Sequence, residues 1–248
     1  SGNGHIVYGA NNVANQDSSM ALGNQNIATG PAASAIGVGS QATGRNTIAV
    51  GNVAKASNTD NIAIGTYSEA LTSGQDAYAL AVGSYSKANA HMAVGIGAIA
   101  KATGSESTVV GAGSTASGAN STALGARNTA SGLRSVAIGK DNNATAEDTI
   151  AMGKANTAAV GGAVAIGMDN VANSTLNGGR AEGNSMIAIG KANKATKEDT
   201  VAIGRENTAS GNVSVAIGAR TEATNSGSIA IAGNGDGYKT TSTGLGSI

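Results

Sequence analysis

Three features of the 248-residue sequence predict an all-β solenoid. A short apolar phrase closed by glycine, as in Ser135-Val136-Ala137-Ile138-Gly139, returns at a step of fourteen residues. Around each such glycine, large apolar and small residues alternate with period two, which is the period of a strand rather than of a helix. The chain has 38 Gly but no Phe and no Trp, so any interior must be thin and built from Ala, Val and Ile. A fixed step of this length signals a repeat architecture, in which each unit buries its apolar face only by stacking on its neighbours.

The glycines that close the phrase serve as register marks. They are Gly9, Gly23, Gly37, Gly51, Gly65, Gly83, Gly97, Gly111, Gly125, Gly139, Gly153, Gly167, Gly190, Gly204 and Gly218, with Ala232 in the sixteenth place. Thirteen of the fifteen steps are fourteen residues long. The step from Gly65 to Gly83 carries four extra residues and the step from Gly167 to Gly190 carries nine. Both insertions fall after the Ala five past the mark, over about Leu71 to Tyr78 and about Ser174 to Asn184.

Each unit repeats one internal order. The residue before the mark is large and apolar, as in Leu22, Ile64 and Ile189, and the third before is usually apolar. The second before is Ala in thirteen of sixteen units, the exceptions being Val7, Gly95 and Val109. The third after is small and mostly polar, as in Asn12, Asn128 and Asn207, and the fifth after is Ala in all fifteen complete units. Fourteen residues with two glycine-tolerant corners make two short strands and two turns. About sixteen coils of roughly 4.8 Å each predict a roll about 75 Å long.

Alternation leads to an expectation about assembly. If Val and Ile fill the interior against the Ala column five after the mark, the Ala column two before it faces outward. Solvent does not demand Ala there, whereas close approach of another sheet does. Ala21, Ala35, Ala49, Ala63, Ala81, Ala123, Ala137, Ala151, Ala165, Ala188, Ala202 and Ala216 are therefore expected at a subunit interface. A thin roll without Phe or Trp would otherwise be marginal, which predicts an obligate oligomer.

The repeated Ser/Thr-Val/Ile-Ala-Ile-Gly, with Asn or Ser three later and Ala five later, resembles the head repeat of trimeric autotransporter adhesins, the YadA-like head above all. The likeness spans residues 6 to 232. It implies a left-handed parallel β-roll, a parallel homotrimer, and a place at the bacterial cell surface outside the outer membrane. It also implies attachment to a host cell-surface receptor or extracellular-matrix protein, the alternative being a spacer or autoagglutination module. The expected division is a head over 1–232 and a non-repeat segment over 233–248. The membrane anchor of the family is expected elsewhere in the full-length chain.

Composition narrows the chemistry. Fifteen basic and fifteen acidic residues balance, which argues against nucleic acid as a partner. Cysteine is absent, so there is no thiolate metal site. His5 and His91 are the only histidines and lie about six coils apart, so no serine has the fixed histidine a nucleophile needs. Neither catalytic residues nor a metal or cofactor is expected.

Two surface features stand out. Tyr67 and Tyr85 hold the same place, two after the mark, in consecutive coils, and Val53 and Ile99 extend that column. With Tyr78, and with Gln75 and Asp76 of the first insertion, they are the expected contacts to a host protein, since tyrosines and apolar patches mark binding surfaces. Lys140, Lys154, Lys191 and Arg205 fall one after the mark and form a basic column that Met168 interrupts, with Asp141, Asp169 and Glu206 beside it. Such a column is either a solvated charge ladder or an electrostatic handle for a partner.

Overall fold

The computed structural model describes residues 4–174, 185–232 and 240–242, and of residues 74–76 only the backbone. The chain forms two compact units, residues 1–127 and 128–248. Both are parallel β-solenoids, and the described residues contain no helix.

Each coil holds a first strand, which in most coils runs through the mark and in four stops just before it, and a two- or three-residue strand around the Ala five after it, apart from two longer second strands in the first unit. In the second unit the long strands include Val136–Lys140, Ile150–Lys154, Val164–Met168, Ile187–Lys191, Val201–Arg205 and Val215–Ala219, each paired in parallel with the next. The pairing is in register mark to mark, Gly139 against Gly153 against Gly167. The short strands, such as Asn143–Ala144 and Thr157–Ala158, form a second parallel sheet. Thr240–Ser242 adds to that sheet beyond residue 232 by pairing with Thr221–Ala223. The first unit is built alike, from Ile6–Ala10 onward.

The interior reverses the expected orientation of the strands. All twelve alanines expected at a subunit interface, Ala21, Ala35, Ala49, Ala63, Ala81, Ala123, Ala137, Ala151, Ala165, Ala188, Ala202 and Ala216, are 0 % exposed within the single chain. They face the alanines five after the mark, such as Ala28, Ala42, Ala130 and Ala144, which are equally buried. The large residues one and three before the mark point outward and stay partly exposed, as do Val136 and Ile138. The reason is thickness. At Gly95, which replaces Ala in this column, a Cβ would lie 2.7 Å from the Lys87 carbonyl oxygen. Space for a methyl at most is left where the two sheets face each other, so branched side chains must turn out. Val109 is the exception, wholly buried, and its register partner is Gly95, the smallest residue of the column.

Two polar columns complete the core. The Ser/Thr column four before the mark is buried, and Thr47, Thr149 and Thr200 donate their hydroxyls to the carbonyls three residues back at 2.7 Å. This closes the turn locally and leaves no flat hydroxyl array on the surface. The third residue after the mark forms an amide ladder in the second unit, Asn128, Asn142, Asn156, Asn170, Asn193 and Asn207. Asn156 shows the pattern. Its Nδ2 donates to Met152 O at 2.9 Å, Gly167 O at 2.8 Å and Asn142 Oδ1 at 3.0 Å, and its Oδ1 accepts the backbone N–H of Asn170 at 3.1 Å. A buried amide is tolerable only when its groups are paired, and here the repeat pairs them.

The mark glycines are required by both φ and space. At Gly153, φ is 117° and a Cβ would lie 2.0 Å from Gly167 O. No residue with a side chain fits without moving the adjoining coil.

Candidate binding surface

The amide ladder stops in the first unit. Asn12, Asn26 and Ser40 begin it, but Ala54, Ser68, Ser86, Ala100 and Ser114 follow. From Gly65 to Gly111 the long strands also end early, at Ile62–Ile64, Leu80–Val82, Val94–Ile96 and Thr108–Val110, whereas Ser34–Val38 and Ile48–Asn52 still run through their marks. The chain then makes a tight turn in which the third residue after the mark donates back to the mark. Ser68 N–H reaches Gly65 O at 3.4 Å, Ser86 N–H reaches Gly83 O at 3.3 Å, and Ala100 N–H reaches Gly97 O at 3.3 Å.

Tyr67, Tyr85 and Ile99 occupy the third position of these turns. Their φ values are 54°, 57° and 59°, and Val53 holds the same place at 55°. That conformation ordinarily goes to Gly or Asn, and the chain does use Gly39 and Gly113 at the same place, each at φ 65°. A left-handed conformation costs an ordinary residue about 1–2 kcal/mol. The three residues offset this only in part by burial, since Tyr67 is 45 %, Tyr85 53 % and Ile99 53 % exposed. The rings of Tyr67 and Tyr85 stack, with centroids 5.2 Å apart and planes 16° from parallel. Their backbones are fixed by Tyr67 N–H to Asn52 O and Tyr85 N–H to Thr66 O, both 2.8 Å.

Tyr78 does not join them. It lies at the turn that follows the short strand, at the opposite edge of its coil, again with positive φ at 48°. Met92 takes the equivalent place one coil on, and its N–H donates to Ala77 O at 2.8 Å. The expected grouping of three tyrosines is thus two separate features, because the four-residue insertion carries Tyr78 through the second sheet before the chain turns. Gln75 and Asp76 belong to the long second strand Glu69–Asp76, and their side chains lie outside the described residues.

The first insertion is absorbed within that strand, which pairs with Lys55–Thr59 and shifts register between Leu71 and Asp76. Sequence reasoning missed what anchors it. Asn61 Nδ2 donates to Ala70 O at 3.1 Å and Thr72 Oγ1 at 3.0 Å, and Asn89 Oδ1 accepts Leu71 N–H at 3.1 Å. The available signal was that Asn61 stands in a column that, after His5 in the first coil, is otherwise filled by Ser, Thr, Ala or Met. Of the second insertion, only Ser174 lies within the described residues.

A family model described as YadA head domain repeat, in two copies, matches residues 9–26, 28–54, 42–68, 102–128, 116–142, 144–170, 181–207 and 209–231. The chain belongs to the YadA head family. No curated protein matches it. The matched segments of this YadA head leave out 69–101, so Tyr78, Tyr85 and Ile99 stand where the chain departs from the family pattern.

Charge on this head is arranged in columns. In the first unit Glu69 and Lys87 pair at 2.7 Å between neighbouring short strands. In the second, Arg134 donates to Asp148 at 2.6 Å and also to Glu147. These bonds hold the Asp148 carboxyl below its usual range and raise the Arg134 guanidinium further. Glu206 is likewise held low, first by the hydrogen bond from Arg220 and then by the fields of Arg205 and Lys191. Arg134, Glu147, Asp148 and Glu206 are solvent-exposed and Glu69, Lys87 and Arg220 half-buried, so these pairs tune the surface more than the stability.

Proposed function

We propose that this YadA head is the distal part of a surface adhesin that assembles as a parallel homotrimer of left-handed rolls and attaches the bacterium to a host receptor or matrix protein without catalysis. The observation that carries the assembly is the outward face of the long strands. The residues one and three before the mark form two largely apolar columns, such as Val201 with Ile203 and Val215 with Ile217, interrupted in the first unit by Ser34, Thr108 and Thr122, and they remain partly exposed in the single chain. Contiguous apolar surface of this extent is rare on a monomer and marks an interface. Sister chains are the natural cover, since three copies of one repeat present columns of matching pitch. The inward alanines set the thickness of the roll and have no part in this contact.

Attachment is assigned to the turns of Tyr67, Tyr85 and Ile99, where backbone strain and exposure of apolar side chains coincide. The positive φ is common to this place in every coil, from Asn11 to Arg220, and what sets these turns apart is the exposed aromatic and large apolar side chains they carry. Three copies would multiply a modest affinity through avidity.

Sedimentation of the 248-residue chain tests the assembly. A mass of three chains is expected, and Ile203→Lys with Ile217→Lys should reduce it, whereas Lys194→Ser, exposed on the short strand Lys194–Ala195, should leave it unchanged. Adhesion of cells displaying the head to host cells tests the attachment. Tyr67→Ser with Tyr85→Ser should abolish it while the trimer persists. If the head captures no host protein yet still makes cells clump, it is a spacer and the attachment reading fails.

A further inference from the structure

The basic column of the second unit has no counterpart in the first. Lys140, Lys154, Lys191 and Arg205 end consecutive or nearly consecutive long strands, and the register places Lys140 beside Lys154, Lys154 beside Met168, Met168 beside Lys191, and Lys191 beside Arg205. All four cations are exposed. The equivalent place in the first unit, from Ala10 through Asn52 and Ser84 to Ala126, holds no charge in any of its nine coils. At a strand spacing of about 4.8 Å, the column runs about 19 Å in a straight line.

Like charges side by side in a sheet are destabilising. Among the described residues none of the four cations makes a salt bridge. The nearby acid Glu206 is engaged instead with Arg220, at 3.0 Å. The aligned cations therefore create a narrow positive line on a chain whose net charge is zero. Thr or Ser would serve this position without repulsion, as Thr66 and Ser84 do in the first unit.

We infer that this column is a docking line for a sulfated linear polysaccharide. Sulfate groups spaced along one extended chain match cations spaced along one column, and each contact relieves the repulsion between neighbouring lysines. Nucleic acid fits less well. Single strands are held by stacking of bases on aromatic side chains, and the described residues of the second unit contain none. Asp141, Asp169 and Glu206 flank the column on its turn side and confine an anion to the single line. The site is independent of the tyrosine turns, so either can fail alone.

Binding of a sulfated glycosaminoglycan oligosaccharide to the full chain, measured by titration calorimetry, tests this. The desulfated oligosaccharide should bind at least about tenfold more weakly, and raising NaCl from about 50 to about 500 mM should weaken the sulfated one about tenfold or more. Lys140→Ser, Lys154→Ser, Lys191→Ser and Arg205→Ser combined should remove binding. The combined control Arg45→Ser, Lys55→Ser, Lys87→Ser and Lys101→Ser, which removes the same charge from the first unit, should keep affinity within about twofold. No binding by the unaltered chain overturns the inference. So does equal loss in both variants, equal competition by single-stranded DNA, or a smaller oligomer for the first variant, which would place the column between subunits. The sulfate and salt comparisons use the unaltered chain and stand whether or not a variant folds.

Discussion

Tyr67 and Tyr85, eighteen residues apart in sequence, stack across one coil step with centroids 5.2 Å apart, each held at a turn position where φ is positive. The stack is an outcome of register. Both residues lie two after a mark glycine, and the four-residue insertion between them is taken up in the other sheet, so it does not displace the second ring.

The strained turn predicts an opposition between stability and attachment. Ile99 has φ 59° and is 53 % exposed, so it combines strain with little burial. Ile99→Asn should raise the unfolding free energy by about 1 kcal/mol in guanidinium titration while weakening adhesion to host cells. Val213, at φ 54° on the opposite edge of a coil in the other unit, is the comparison. Val213→Asn should stabilise by a similar amount and leave adhesion unchanged.

Removing one rung of the buried amide ladder should be severe. Asn156→Ala takes the side-chain amide from Met152 O, Gly167 O and the Asn170 N–H, while Asn142 Oδ1 keeps only the backbone N–H of residue 156. A loss of about 2–4 kcal/mol is expected, read as a fall in denaturation midpoint. Asn12→Ala, at the exposed start of the first ladder, should cost much less.

Mark glycines and corner glycines should respond differently to the same change. Gly153→Ala places a methyl 2.0 Å from Gly167 O at φ 117°, and should cost about 3 kcal/mol or more. Gly113 has φ 65° and an added Cβ would meet only Arg127 Cγ at 3.7 Å. Gly113→Asn should change stability by no more than about 0.5 kcal/mol, because Asn11 takes the same place in its coil at φ 55°. Thermal unfolding of the two variants decides this.

Acid should weaken the second unit through its carboxylate columns. Asp148 and Glu206 are lowered by hydrogen bonds from Arg134 and Arg220. A lowered folded-state value means that the unfolded chain binds protons first as pH falls. The stabilisation is therefore complete above the ordinary carboxyl value of about 4 and is lost as pH drops through the folded values. Melting temperature should fall below about pH 4, and Asp148→Asn with Glu206→Gln should flatten that fall. The effect is small, because both pairs are exposed.

Much of this protein was legible before any coordinates. The fourteen-residue step and the period-two alternation required stacked strands, and the mark glycines showed where each coil turns. The tyrosine column was visible because Tyr67 and Tyr85 share a place in the repeat. Period alone does not say which set of alternating side chains faces in, since a strand offers two equivalent faces. Only the packed structure decided that. The two sheets approach so closely that a methyl fills the gap, as the 2.7 Å between a Cβ at Gly95 and Lys87 O shows, and the branched residues are forced outward. It also decided that the third residue after the mark is a buried, self-pairing amide, because each Asn gains its partners from coils fourteen residues away in sequence that touch only when the solenoid closes. Tyr78 parted from Tyr67 and Tyr85 for a similar reason: two turns that look alike in the sequence lie at opposite edges of the fold.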